Sequence, residues 1–365
     1  MKKIKIIIII CLLAILLAFF QLPFVGSVNN TKEDYSHLFK DIYNQNKNFG
    51  NVPITKIAML GSHDAMSYNI SFLSKADTTR GKTRKDNFAS NPFLFMLAKG
   101  NIVRLSKAQS VDPYEQMKAG SRYLDVRITN IGSEFYTSHG LVSDALENSF
   151  TYVLKFLDEN PGEFIIINIL YYYQDTKSWD ELCDYIKTIE YNGKNLFDYV
   201  NYDTNNTDLS LLTYNKLTNN GNKAGVVFIS KEYDGTRYKN YFAFKHILNN
   251  NCKEGNYNLI DEKINDIVEN SKTYDDTYLK VNQTQITPDV KSILNVFANW
   301  SLINISDKHN SVVVKNNYYK EWIENMPIYL TDNVTSNKSN FNKILNESII
   351  EYNLKISDTY AKGEK

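Results

Sequence analysis

Short apolar runs alternate along the chain with stretches whose apolar residues recur at helical spacing. Eight runs read as strands: Lys56–Leu60, Arg122–Ile128, Phe135–Ser138, Phe164–Leu170, Gly225–Ile229, Tyr278–Ile286, Val296–Ile303 and Pro327–Leu330. The run from Phe164 is apolar at nearly every position, as expected of a strand covered on both faces. Before it, Leu146, Phe150, Val153, Leu154 and Leu157 form one buried helical stripe, with Ser143 placed to cap it and Asn160-Pro161-Gly162 to stop it. Tyr35, Leu38, Phe39 and Ile42 predict an amphipathic lead-in helix within 32–47. Further helical patterns fall near 178–190, 260–270, 287–295, 317–325 and 339–352. This alternation predicts an α/β fold, an irregular (β/α)8 TIM-type barrel in a single domain. A doubly wound open sheet would show the same alternation.

Two segments stand apart from the pattern. At the N-terminus Lys2, Lys3 and Lys5 precede an apolar run from Ile6 to Phe20, broken by Gln21 and Pro23. That order fits an export signal over residues 1–27, with an uncleaved N-terminal anchor as the alternative. Either way the remainder, 28–365, is expected to work outside the cytoplasm, secreted or held at the outer membrane surface. The second segment is a long insertion from Asn69 to about Gln109. It is basic at Lys75, Arg80, Lys82, Arg84 and Lys85 and then apolar through Pro92–Ala98. It reads either as a lid that meets a lipid interface or as a helix packed on the barrel rim.

Composition narrows the functional classes. Lys+Arg and Asp+Glu are 41 each in 365 residues, so no basic excess suggests a nucleic-acid partner. Of three cysteines, Cys11 lies in the N-terminal apolar run, and Cys183 and Cys252 could pair or stay as core thiols. No closely spaced Cys/His set suggests a structural zinc site.

The chemistry rests on a few polar residues at strand ends. Gly61-Ser62-His63-Asp64 follows one predicted strand, and Phe135–Ser138 runs into His139-Gly140. In a (β/α)8 barrel the C-terminal strand ends face the active site, which brings both histidines to one mouth. Asp125 and Arg127, two apart on a strand, share a face. Asp332 ends the eighth run. Two histidines, three carboxylates and an arginine thus converge from four segments.

These segments resemble the X domain of phosphatidylinositol-specific phospholipase C, particularly the bacterial type. The matching stretches are Ile57–Asp64, Gln116–Arg127, Ser138–Gly140 and Val153–Ile167, and the similarity is strongest over 54–170. The resemblance implies His63 as general base toward the inositol 2-hydroxyl, held by Asp332. It implies His139, assisted by Asp64, as general acid to the departing diacylglycerol oxygen. It implies Arg127, oriented by Asp125, as the ligand of the phosphoryl oxygens. The product would be a cyclic inositol phosphate. Calcium-dependent relatives place acidic residues around this strand; Arg127 stands there instead and can replace the ion's charge, so no metal and no cofactor is expected, although Asn168 and Asn69 offer oxygen ligands.

The headgroup-binding set matches less well. Asn168-Ile-Leu-Tyr-Tyr carries no Lys, while Lys231, Tyr233 and Gln285 are the substrate-binding candidates, with Tyr171, Tyr172 and Tyr173 as a further aromatic wall. The expected partner is a phospholipid at a membrane surface, met by a monomer. Another phospholipid or glycolipid phosphodiester, or an inactive lipid- or glycan-binding barrel, are the alternatives.

Overall fold

In the computed structural model the strands are β1 (Met59–Ser62), β2 (Ser121–Ile131), β3 (Glu134–His139), β4 (Leu141–Ala145), β5 (Phe164–Tyr172), β6 (Gly225–Ile229), β7 (Phe242–Ala243), β8 (Ile247–Asn249), β9 (Leu279–Gln283) and β10 (Ile328–Thr331). The structure describes residues 5–13, 29–77, 92–172, 177–202, 208–243, 247–249, 269, 271–272, 274–286 and 301–361. Eight strands pair in parallel in the order β7-β6-β5-β2-β1-β10-β9-β8. The last strand lies beside the first, so chain order is kept around a ring. A doubly wound sheet reverses its order at a switch point and is excluded. Among the described residues no pairing joins β7 to β8, which leaves a seam in the barrel.

Six of the eight predicted strands are barrel staves. Phe135–Ser138 belongs instead to β3, which returns antiparallel from β2 and continues into β4, an outer hairpin. Val296–Ile303 is corrected at its described end: Ser301 caps a helix, Leu302–Lys315, because its side chain accepts from the Asn304 amide. The staves β7 and β8 are two and three residues long, too short for a periodicity to register. The stretch Tyr278–Ile286 contracts to β9.

The helix under the apolar stripe runs Leu146–Glu159, but Ala145 rather than Ser143 is its N-cap. Ser143 lies in β4, and its hydroxyl accepts from the Asn69 amide. The lead-in helix is Leu38–Gln45, burying Leu38, Phe39 and Ile42. Helices Trp179–Thr188, Tyr318–Asn325 and Phe341–Ala361 match predicted ones; most of 260–270, all of 287–295 and Cys252 lie outside the described residues. Cys183 is a buried free thiol. Residues 5–13 are helical, and among the described residues no helix is long and apolar enough to cross a membrane.

Register decides which side chains enter the barrel. Gly61 pairs with Leu330 on β10 and Tyr123 on β2. A Cβ there would lie 3.1 Å from Leu330 and 3.2 Å from Tyr123, so the missing side chain is what admits the Tyr123 ring. The alternate residues Leu124, Val126 and Ile128 face outward onto Leu146–Glu159 with Ile165, Ile167 and Ile169 of β5. By the same alternation Asp125 and Arg127 follow Tyr123 inward.

A buried ion pair ties the lead-in helix to the barrel. Arg122 and Glu163, both fully buried, meet at 2.8 Å, and Glu163 also accepts from the amides of Phe39 and Lys40. Arg122 donates further to the carbonyls of Met117, Ser121, Tyr35 and Ser36. Every donor of that guanidinium is engaged, so deleting its counter-charge strands a buried cation. Glu163→Ala is expected to cost about 3–5 kcal/mol of stability, read from urea unfolding midpoints.

The chain enters the described domain beside β10. Asn30 accepts from the hydroxyls of Ser110 and Thr335, and Ser110 also donates to Asn333. At the far end of the fold, the Asn353 amide brackets both polar groups of Ala58, just before β1.

Candidate active site

His63 and Asp332 are the residues that immediately follow the paired strands β1 and β10, and that adjacency alone sets them side by side. Each is followed by a residue in the left-handed region, Asp64 (φ 44°) and Asn333 (φ 46°). Asp and Asn tolerate that conformation better than bulkier residues. The sharp turn swings the Asp64 carboxylate back toward the His63 ring, and it is held by the Asp64 amide donating to Asp125 Oδ2 at 3.3 Å.

His63 Nδ1 lies 2.7 Å from Asp332 Oδ1. Its Nε2 lies 3.0 Å from Arg127 Nη2 and 3.4 Å from Asp64 Oδ2. Arg127 Nε forms an ion pair with the other oxygen, Asp64 Oδ1. His139 Nε2 stands 3.1 Å from Asp64 Oδ2, and its Nδ1 donates to the Ser106 carbonyl at 2.8 Å. The two imidazole centroids are 6.2 Å apart. One buried carboxylate, Asp64, therefore touches both histidines and the guanidinium. Asp125 sits farther from the arginine, 3.8 Å from Nη2, and accepts from Asn168 Nδ2 at 3.1 Å. The arginine is thus aimed chiefly by Asp64, with Asp125 behind it.

His139 reaches this group by a route other than the one its sequence position suggested. It does not end a barrel stave. The β2–β3 hairpin rises past the mouth and returns, so that Ile128 pairs with Thr137 and His139 comes down beside Arg127.

Burial disfavours the charged form of His63, but the carboxylates of Asp64 and Asp332 outweigh it and lift the pKa to about 9. Burial drives His139 down to about 4, with Asp64 opposing and Arg127 and His63 adding to the depression. Burial also raises Asp125 and Asp332 above the ordinary carboxylate range, against the pull of Arg127 on the first and His63 on the second. Those opposite shifts favour the proton of the coupled pair on His63, whereas the directional contacts, which fix individual atoms, favour it on His139. Both nitrogens of His139 face acceptors, whereas His63 has an acceptor at Nδ1 and a guanidinium donor at Nε2. All contacts are satisfied together only when His63 is neutral, protonated on Nδ1, and His139 is the cation.

The other sequence candidates are dispersed. Tyr233 is a core residue, stacked on Phe242 at 4.6 Å with its hydroxyl donating to Asp180, so it is not part of the pocket wall. Tyr171 is buried too, donating to Asn130 and the Lys177 carbonyl. Tyr173 is outside the described residues, and Lys231 is exposed on the loop after β6. Gln285 is buried just past β9, donating to Gln283 at 2.6 Å, while its own Oε1 has no hydrogen-bond partner among the described residues. Asn69 is exposed, and its backbone bonds Ser143.

His63, Asp64 and Asp125 are close enough to share a metal ion. The guanidinium of Arg127 contacts His63 and Asp64 and lies 3.8 Å from Asp125.

Comparison with known proteins follows the same lines. No protein-family profile matches the chain. A human PI-PLC X domain-containing protein 1 is 31% identical over 121 residues, 32% of this chain and 36% of that protein. The variant-surface-glycoprotein phospholipase C of Trypanosoma cruzi is 34% identical over 131 residues, 34% of each chain. Over about a third of its length this chain is similar to proteins of the phosphatidylinositol-specific phospholipase C X-domain type. The X-domain match spans only about a third of these relatives' length. Solved structures extend the likeness in fold to most of the chain. A mutant phosphatidylinositol-specific phospholipase C from Staphylococcus aureus superposes with a TM-score of 0.58 at 16% identity, covering 87% of this chain and 99% of that one. The Listeria monocytogenes enzyme gives 0.54 at 15%, covering 87% and 98%. The TIM-type barrel of those enzymes is therefore the fold of most of the chain.

What the sequence did not reveal is the support behind the six polar residues. Ser106, Gln109 and Ser306 hold His139, His63 and Asp332 from outside the motifs. A backbone carbonyl and a loop glutamine carry no sequence signature.

Proposed function

We propose that the chain cleaves a phosphodiester by intramolecular attack of a neighbouring hydroxyl, as a phospholipase C acting on an inositol phospholipid or its glycolipid derivatives. The observation that carries this reading is the single carboxylate of Asp64 touching an acid, a base and a guanidinium. His63 Nε2 takes the proton of the attacking hydroxyl as its oxygen bonds to phosphorus, and Asp332 stabilises the imidazolium that forms. The bond from phosphorus to the glycerol oxygen breaks, and that oxygen receives the proton held between His139 Nε2 and Asp64. Arg127 turns its fork of donors to the nonbridging oxygens. The products are a cyclic phosphate and diacylglycerol, and the pair is left with its proton exchanged between the two rings.

The reaction needs no divalent ion in this reading, because Arg127 supplies the positive charge. The N-terminal segment directs the domain out of the cytoplasm, where it meets lipid as a monomer. A different headgroup is favoured by one feature: β5 presents Leu170 in register with Arg127, an apolar residue where a charged one would grip a polyol.

Phosphatidylinositol vesicles in EDTA, followed by phosphorus NMR, test this directly. A cyclic phosphate signal is expected. Activity only after adding calcium would overturn the metal-free mechanism, and turnover of other phospholipids alone would move the substrate.

A further inference from the structure

The insertion between β1 and β2 ends in three residues, Ser106, Ala108 and Gln109, that grip the back of the site. The Ser106 carbonyl fixes His139 Nδ1. The Ala108 carbonyl accepts from the Asn333 amide at 2.8 Å, and the Ala108 amide donates to Ser67 Oγ, which itself donates to the Asp64 carbonyl. Gln109 is 1% exposed, and its amide reaches both strand-end turns at once. Nε2 donates to the carbonyls of His63 (2.8 Å) and Thr331 (3.2 Å), while Oε1 accepts from the Val334 amide at 3.2 Å. Thr331 and Val334 flank Asp332.

Resting on the acid–base reading above, we propose that Gln109 is a positioning residue: it fixes the separation of the His63 and Asp332 turns and so keeps the imidazole on its carboxylate. The argument is geometric. Both turns carry a left-handed residue, whose relaxation would rotate the side chain just before it. The two strands pair only as far as Ser62 and Thr331, one residue short of His63 and Asp332. Beyond that point the His63 amide donates to the Thr331 carbonyl, and the Gln109 amide, by bonding the carbonyls of both His63 and Thr331, closes a second rung. A planar amide with two donors and an acceptor fits this place, where a hydroxyl is too short and an ammonium has no acceptor.

Gln109→Met, close in size but without polar atoms, and Gln109→Glu, which keeps only the acceptor, are compared with Gln116→Met. Gln116 is equally buried and donates to the carbonyls of Ala65 and Val111, but it does not touch the Asp332 turn. The Gln109 variants should lose about 100-fold in kcat with KM nearly unchanged, the scale of an ångström-sized misplacement of a reacting group. They should also lose the downfield proton NMR signal of His63 Nδ1–H on Asp332; Gln116→Met should keep both. Wild-type rate and an intact signal in folded Gln109→Met or Gln109→Glu would overturn the proposal. So would loss of fold in both, which would make the residue a structural one. The NMR comparison needs no substrate, so it stands even if the protein turns over no phosphodiester.

Discussion

His63→Ala and His139→Ala are each expected to lower kcat by about 10²–10⁴-fold, with substrate affinity little changed. The two rings serve opposite ends of one proton transfer, so the double variant should be scarcely slower than either single one. The pH profile distinguishes their roles. Turnover needs one proton shared by the pair, so the wild-type profile should be bell-shaped. On its acid side a second proton occupies the base and the rate falls; on its alkaline side the last proton leaves and the acid is lost. His63→Ala should abolish the acid limb and His139→Ala the alkaline one. If each variant instead lost the other's limb, the assignments would have to be exchanged.

Arg127→Lys keeps the charge and removes the fork, and a fall of about 10²–10³-fold in kcat/KM is expected, in the range for losing a donor to developing negative charge. An ammonium cannot pair with Asp64 Oδ1 and cap His63 Nε2 together, as the guanidinium does. Arg127→Gln removes the charge as well. Because the arginine lowers the pKa of both histidines, its loss raises both, and the whole profile should move to higher pH. The two substitutions thus separate geometry from charge: similar losses in rate, but displaced limbs only in the glutamine variant. Limbs that stay in place in Arg127→Gln would show that the guanidinium is electrically remote from the pair.

The convergence of the six polar residues was legible in the sequence because strand ends are local features. His63, Asp64 and Asp332 each directly follow a short apolar run, and Asp125 and Arg127 sit on one face of another by simple alternation. His139 was placed correctly for the wrong reason, since nothing in Phe135–Ser138 separates an outer hairpin strand from a barrel stave. Val296–Ile303 shows the limit of apolar runs: Ser301 accepts a helix amide, and a capping residue outranked the apolar neighbours that suggested a strand. Tyr233 misled because an aromatic beside a strand end reads alike whether it lines a pocket or packs beneath a helix. Asp180, which takes its hydroxyl, lies 53 residues away. Gln109 was invisible for a related reason, its three partners being contributed by strands far apart in the chain.

The cluster joining Asn30 to Ser110, Asn333 and Thr335 has a practical bearing on how this protein is handled. Asn29 and Thr31 bond Asn337 and Thr335, three to five residues beyond Asp332, so a truncation that removes Asn30 would unpin the turn that carries the carboxylate. The helix Phe341–Ala361 descends past Asn353 toward the opposite end of β1, where an affinity handle or display anchor has the full depth of the barrel between it and the chemistry.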